Sequence, residues 1–199
     1  MRDRLRLACN ISTFDECLGL AKRYGLGLEI QTFAQPEILD GNWREIETRY
    51  LKQLQGFEHG LSMQGAFFDL VSASPDARVV QLAYDRYVHN LRIANMLGAT
   101  QVVFHMNYIA SIQHPAYRQQ WTERQIDFWG RILTVAQLMG ITILLENMWE
   151  YDPRIIGDVL EAVNSPCLKS CIDVGHVYLY SDLGLDNWIE ALERHFVYT

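Results

Sequence analysis

Five ionisable side chains stand out by type and position: Glu29, His105, Glu146, Asp173 and His176. Four of them follow short apolar runs, in "VVFH", "ILLE" and "CIDVGH". A run of this kind reads as a buried strand, and a buried strand that ends on an acid or an imidazole needs a reason. Carboxylate oxygens and imidazole nitrogens are ligands for a divalent cation. They are equally the groups that move protons near neutral pH. Glu146 and Asp173 close two successive apolar runs, so their carboxylates are expected to meet. His176 lies three residues beyond Asp173 and is expected on the loop that leaves the strand. Glu29 falls inside an earlier run, where a buried acid bonded to a neighbouring strand is as good a reading as a chemical role. Structural alternatives exist for the others too: a loop cap for Asp173, a carbonyl-bonded core histidine for His105. Trp149 offers an aromatic face beside these groups, suited to a sugar ring.

The elements that must position these groups follow one grammar. In "RYGLGLEIQ", "MLGATQVVFH" and "LMGITILLEN" a helix ends, a glycine follows and a short apolar strand runs into polar residues. Gly25, Gly98 and Gly140 supply the left-handed helix stop. Ser12 with Asp15 reads as a capping box, and Ser74-Pro75 and Asp152-Pro153 as caps ahead of a first-turn proline. Strands are expected near 5–10, 26–31, 60–65, 101–105, 141–146 and 168–173, with a seventh beginning near Phe196. Helices are expected over 13–24, 43–56, 75–97, 116–139, 153–163 and 186–193. Alternation of this kind makes a parallel sheet with right-handed crossovers. With no dinucleotide fingerprint, a (β/α)8 TIM barrel is favoured over a doubly wound sheet, and its active site lies at the C-terminal ends of the strands. The apolar strands suit a sheet covered on both faces.

Bulk properties narrow the function classes. The chain has 199 residues, 49% hydrophobic and 21% charged, and a net charge of −7. Such a composition suits a globular enzyme, and the acidic balance does not attract a phosphate backbone. Cys9, Cys17, Cys167 and Cys171 show no paired spacing, so they read as free thiols in a reducing cytoplasm. "MRDRLRLACN" is basic but lacks the apolar core of a signal peptide, and no run is long enough for a membrane span.

"FH" at 104–105, "LLEN" at 144–147 and "CIDVGH" at 171–176 resemble the xylose isomerase-like TIM-barrel superfamily, over essentially the whole chain in order and spacing. That group includes sugar isomerases and epimerases and the endonuclease IV-like apurinic-site nucleases. The resemblance implies one domain over 1–199, covering about six to seven βα units of the (β/α)8 barrel. It implies Glu146, Asp173 and His105 as ligands of one divalent ion, whether Mn, Zn, Mg or Co. Glu146 and His176 become the catalytic groups, Glu146 transferring a proton. His176, Trp149 and Glu29 become substrate contacts.

The function implied is isomerisation or epimerisation of a sugar or related polyhydroxy carbonyl compound through an enediolate. The alternatives are an apurinic-site phosphodiesterase and a barrel that binds a sugar or a partner without turnover. Gln64 stands where the nuclease branch has a metal-binding His on its third strand, which disfavours nucleic acid as partner. The family takes further ligands from its seventh and eighth strands. "RHFVYT" begins the seventh, so the expectation is a longer native protein or a partner, such as a second copy, across the open edges.

Overall fold

The computed structural model describes residues 5–112 and 114–198. The first four residues, part of the segment that does not read as a signal peptide, and Thr199 at the chain end lie outside the described residues. Seven parallel strands stand in sequential order: β1 (Arg6–Cys9), β2 (Gly27–Ile30), β3 (Leu61–Gln64), β4 (Gln101–His105), β5 (Thr142–Glu146), β6 (Leu168–Cys171) and β7 (Phe196–Tyr198). Sequential parallel order means that every crossover has the same sense, as in a partial (β/α)8 barrel rather than a doubly wound sheet, whose strand order reverses. The long crossover helices are α1 (Phe14–Tyr24), α3 (Trp43–Gln53), α4 (Ala77–Leu97), α5 (Tyr117–Leu138), α6 (Arg154–Val163) and α8 (Leu185–Leu192). Two short helices lie outside the expected set: α2 (Pro36–Asp40), after a 3-10 turn at Thr32–Ala34, and α7 (Val174–Tyr180). Among the described residues no helix is long and apolar enough to cross a membrane.

The two faces of the sheet differ, which corrects the expectation of apolar cover on both. Alternate residues Leu28, Ile30, Met63, Val102, Phe104, Ile143 and Leu145 are buried in one large core with the helices. Its deepest side chains include Trp121, Trp129, Trp188 and Tyr87. The intervening residues face the other way, because side chains alternate along a strand. On that face only Val103, Leu144 and Cys171 form a separate apolar cluster among the described residues. Glu29, Gln31 and Gln64 line a cavity there. The helices turn Ala83, Tyr87 and Ala94, and Ile156, Val159 and Leu160, to this core, all buried. Tyr24, at the end of α1, is exposed.

The caps are partly redrawn. Gly25 and Gly98 do stop their helices with positive φ of 67° and 79°, and Gly140 follows α5 with φ 66°. Ser12 does not cap α1: its backbone N–H and its hydroxyl both donate to the Asn10 carboxamide oxygen. α4 begins after Asp76, whose carboxylate accepts from the Arg78 N–H, and not at Pro75. All four cysteines are free thiols.

α6 likewise begins at Arg154, with Pro153 as its N-cap residue, and Asp152 just ahead of it gives a pH test. Its carboxylate accepts from the Arg154 N–H at 2.9 Å and pairs with the Arg154 guanidinium at 2.9 Å. Burial pushes this carboxyl up, but the Arg154 bonds outweigh it and hold the group below its ordinary range. A depressed folded value stabilises the protein above the ordinary carboxylate pKa, and the stability is lost as pH falls through the folded value. Asp152→Ala is therefore expected to cost about 1 kcal/mol at pH 7. The gap to the wild type should shrink as the pH drops below about 4. Urea denaturation of both proteins at pH 7 and pH 3 checks this.

Candidate active site

The site is built at the C-terminal ends of β4, β5 and β6. Glu146 is the last residue of β5 and pairs in register with His105 of β4 and Cys171 of β6. In-register neighbours on one face lie side by side, about 5 Å apart. His105 Nε2 accordingly meets Glu146 Oε2 at 2.7 Å. The imidazole is held on two more sides. Phe67 stacks on its face at 4.7 Å between ring centroids, and Met148 Sδ lies 3.3 Å from its Nδ1. An ionised carboxylate only accepts, so Nε2 carries the proton and donates it to Glu146. Oε2 is thereby engaged, and Oε1 is left for the cavity.

Asp173 sits two residues beyond the end of β6 and is the N-cap of α7, not the last residue of a strand. Its Oδ1 accepts from the His176 backbone N–H at 2.8 Å. The cap reading and the ligand reading are thus compatible: Oδ1 starts the helix while Oδ2 stays available. His176 lies in the first turn of α7 rather than on a loop. Its Nδ1 donates to the Asn147 carbonyl at 2.8 Å, since a carbonyl can only accept. That anchors one ring nitrogen and leaves Nε2 as the nitrogen for a ligand or a substrate.

Asn147 ties the two halves together. Its side-chain N–H2 donates to the Asp173 carbonyl at 3.0 Å, and its side-chain oxygen accepts the Asp173 N–H at 2.8 Å. The residue is buried and bridges the ends of β5 and β6 as a strand pair would. Sequence reasoning assigns it no role, although it directly follows Glu146. Glu150 is missed as well. It is fully buried and accepts from the Met148 and Tyr108 backbone N–H groups at 2.7 and 3.1 Å. Burial pushes its carboxyl up, against the pull of those bonds. Nothing in the aromatic-polar run "NMWEYD" marks which of its acids turns inward.

The result is a compact donor set. One ligand atom each from Glu146, Asp173 and His176 lie within 4.8 Å of one another. Ligands about 2.1 Å from an ion are at most about 4.2 Å apart, so small side-chain rotations close the set on a divalent cation. Two carboxylate oxygens and an imidazole nitrogen suit zinc, manganese or a related ion. Two like charges this close are costly by themselves, and a cation offsets that cost. His105 is outside this set, and a metal bond from its Nε2 would require releasing Glu146.

A cavity of about 390 Å³ opens beside the donors, lined by Glu29, Gln31, Gln64, Glu146, Cys171 and Asp173 among others. Cys171 lies at its wall as a protonated thiol: burial and the neighbouring carboxylates push it well above its ordinary value. Glu29 accepts from the Ser62 hydroxyl at 3.4 Å on the far side. His176 and Trp149 do not line this cavity, and Trp149 is 42% exposed on the β5–α6 loop.

The sequence model of the xylose isomerase-like TIM barrel family matches residues 18–198. Among curated proteins, none matches the chain. Solved structures do. The TTHB071 protein of Thermus thermophilus, studied after soaking with ZnCl2, superposes with a TM-score of 0.77 at 28% identity, over 94% of this chain and 74% of that one. A D-tagatose 3-epimerase-like protein gives a TM-score of 0.77 at 19% identity, over 97% of this chain and 72% of its own. The D-psicose 3-epimerase of Clostridium cellulolyticum, determined with D-tagatose, gives 0.74 at 14% identity, over 96% and 71%. At the identities of the last two, the likeness is one of fold.

Proposed function

Because this chain belongs to the xylose isomerase-like TIM barrel family, we propose that it is a metal-dependent isomerase or epimerase of a small polyhydroxy carbonyl compound. The observation that carries the reading is the convergence of Glu146, Asp173 and His176 ligand atoms within 4.8 Å at the ends of β5 and β6. The fold neighbours named as ketose epimerases support the substrate class.

Glu146, Asp173 and His176 would hold the ion, with His176 also placed to take a substrate hydroxyl. A bound divalent ion supplies Lewis-acid polarisation of a carbonyl oxygen and stabilises an adjacent oxyanion. Glu146 would remove the proton α to the carbonyl through its carboxylate, giving an enediolate. His105 holds the opposite oxygen of that carboxylate and keeps it aimed. An isomerase returns the proton to the neighbouring carbon on the same face, which needs one carboxylate. An epimerase returns it on the other face, which needs a second acid. Glu29, across the cavity, would contact the remainder of the substrate, and Trp149, which lies outside the cavity lining, would reach it only from the β5–α6 loop.

The test is a screen of ketoses and keto-inositols with and without Mn²⁺ in D2O. Conversion with deuterium entering the carbon skeleton is the expected result. The position of the deuterium separates an aldose product from an epimer. Metal-dependent cleavage of abasic-site DNA in place of ketose conversion would establish the nuclease branch. Sugar binding with no exchange would establish a non-catalytic barrel.

A further inference from the structure

Gln64 is the last residue of β3, is 6% exposed, and lines the cavity that Glu146 and Asp173 share. Its side-chain Nε2 is buried without a hydrogen-bond partner among the described residues. Burying an amide donor unpaired is costly, and native proteins retain such a group at few positions, many of them functional. The surroundings would accept an apolar side chain: Val103, its register partner on β4, belongs to the apolar inner cluster. An amide kept there at a cost in stability points to a partner outside the chain.

We propose that Gln64, with Gln31 on the same side of the cavity, is a substrate subsite for the hydroxyl-bearing tail of the ligand, remote from the reacting carbons. The proposal rests on the isomerase or epimerase reading above and adds where the rest of the substrate lies. A carboxamide is neutral and both donates and accepts, so it recognises hydroxyl groups. Position fits this role. β4 separates β3 from β5, which sets Gln64 and Glu146 about 10 Å apart across the sheet. Gln64 aligns with Val103, and Glu146 with His105, so Gln64 also lies two residues, about 7 Å, deeper along the strands. A five- or six-carbon ketose whose carbonyl end is at Glu146 extends towards Gln64, while a three-carbon ketose falls short of it. A subsite there selects for chain length and hydroxyl pattern, leaving the proton transfer to Glu146.

Gln64→Met, of similar length and without the amide, tests this with two readouts. The first is thermal unfolding without ligand. The expected result is a Tm higher by about 2–6 °C, because an unpaired buried donor is removed. A Tm unchanged or lower shows an amide already paired in the native protein and overturns the proposal. The second is calorimetric binding of D-tagatose and of dihydroxyacetone in the presence of Mn²⁺. D-tagatose should bind the variant about 10-fold or more weakly than the wild type, and dihydroxyacetone within about twofold. Equal effects on both ketoses, or none on D-tagatose, overturn the subsite and leave the isomerase reading standing. A wild type that binds neither ketose overturns that reading, and the subsite falls with it.

Discussion

Replacing Glu146 with Gln should lower ketose turnover by about 10³-fold, the largest effect of any single substitution in the site. The replacement is isosteric. Its carboxamide oxygen can still accept from His105 Nε2, now 2.7 Å from Oε2, so the side chain keeps its place. What disappears is the negative charge and the capacity to accept a substrate proton. His176→Ala should cost less, because in the proposed mechanism His176 only orients an oxygen and would share the ion with two carboxylates. The comparison is made by single-turnover proton exchange in D2O at saturating Mn²⁺, which bypasses any loss of metal affinity. A Glu146→Gln protein that exchanges at a near-normal rate would remove Glu146 from the proton-transfer role.

The second large effect concerns Asp173, whose two oxygens do different work. Oδ1 caps α7 through the His176 N–H, and Oδ2 is the oxygen proposed for the ion. Asn is as good a helix cap as Asp, so Asp173→Asn should leave thermal stability nearly unchanged. It should still weaken Mn²⁺ binding on the order of 100-fold, because an anionic ligand becomes neutral. Asp173→Ala should lose both, adding about 1 kcal/mol of instability from the missing cap. Titration calorimetry with Mn²⁺ and parallel melting curves separate the two roles. Wild-type Mn²⁺ affinity in the Asn variant would show that the ion is not held by this cluster.

Parts of this design are legible in single residues and parts are not. Glu146 announces itself because three apolar residues directly precede it, and a carboxylate after such a run has few structural uses. Asp173 is legible for the same reason, yet in sequence its cap competes with ligation, whereas one of its oxygens makes the cap and the other is left for the proposed ion. The short helix α7 escapes notice because its residues, "VGHVYLY", carry no helical period and bury only Val177. The resemblance puts His105 among the ligands, and the register between β4 and β5 brings its Nε2 onto Glu146. Asn147 and Glu150 are silent: an Asn after a strand and a Glu in a polar loop are ordinary in sequence.

What the sequence determined alone is the order of strands and helices and the positions of the ionisable groups along them. Those depend on local chemistry: apolar runs, glycine helix stops and residue type act over a few neighbours. What the tertiary structure decided is which groups meet and which oxygen or nitrogen each commits. The polar inner face at Glu29, Gln31 and Gln64 is of this kind. So are the 2.7 Å contact of His105 with Glu146 and the bridge of Asn147 to Asp173 across 26 residues. The reason is physical. A strand's alternation names two faces without saying which one turns to the axis, and a one-residue change of register would send Glu146 into the helical core. Only the packed sheet, with its outer face held by the apolar side chains of the helices, resolves that choice and brings the acids to one mouth.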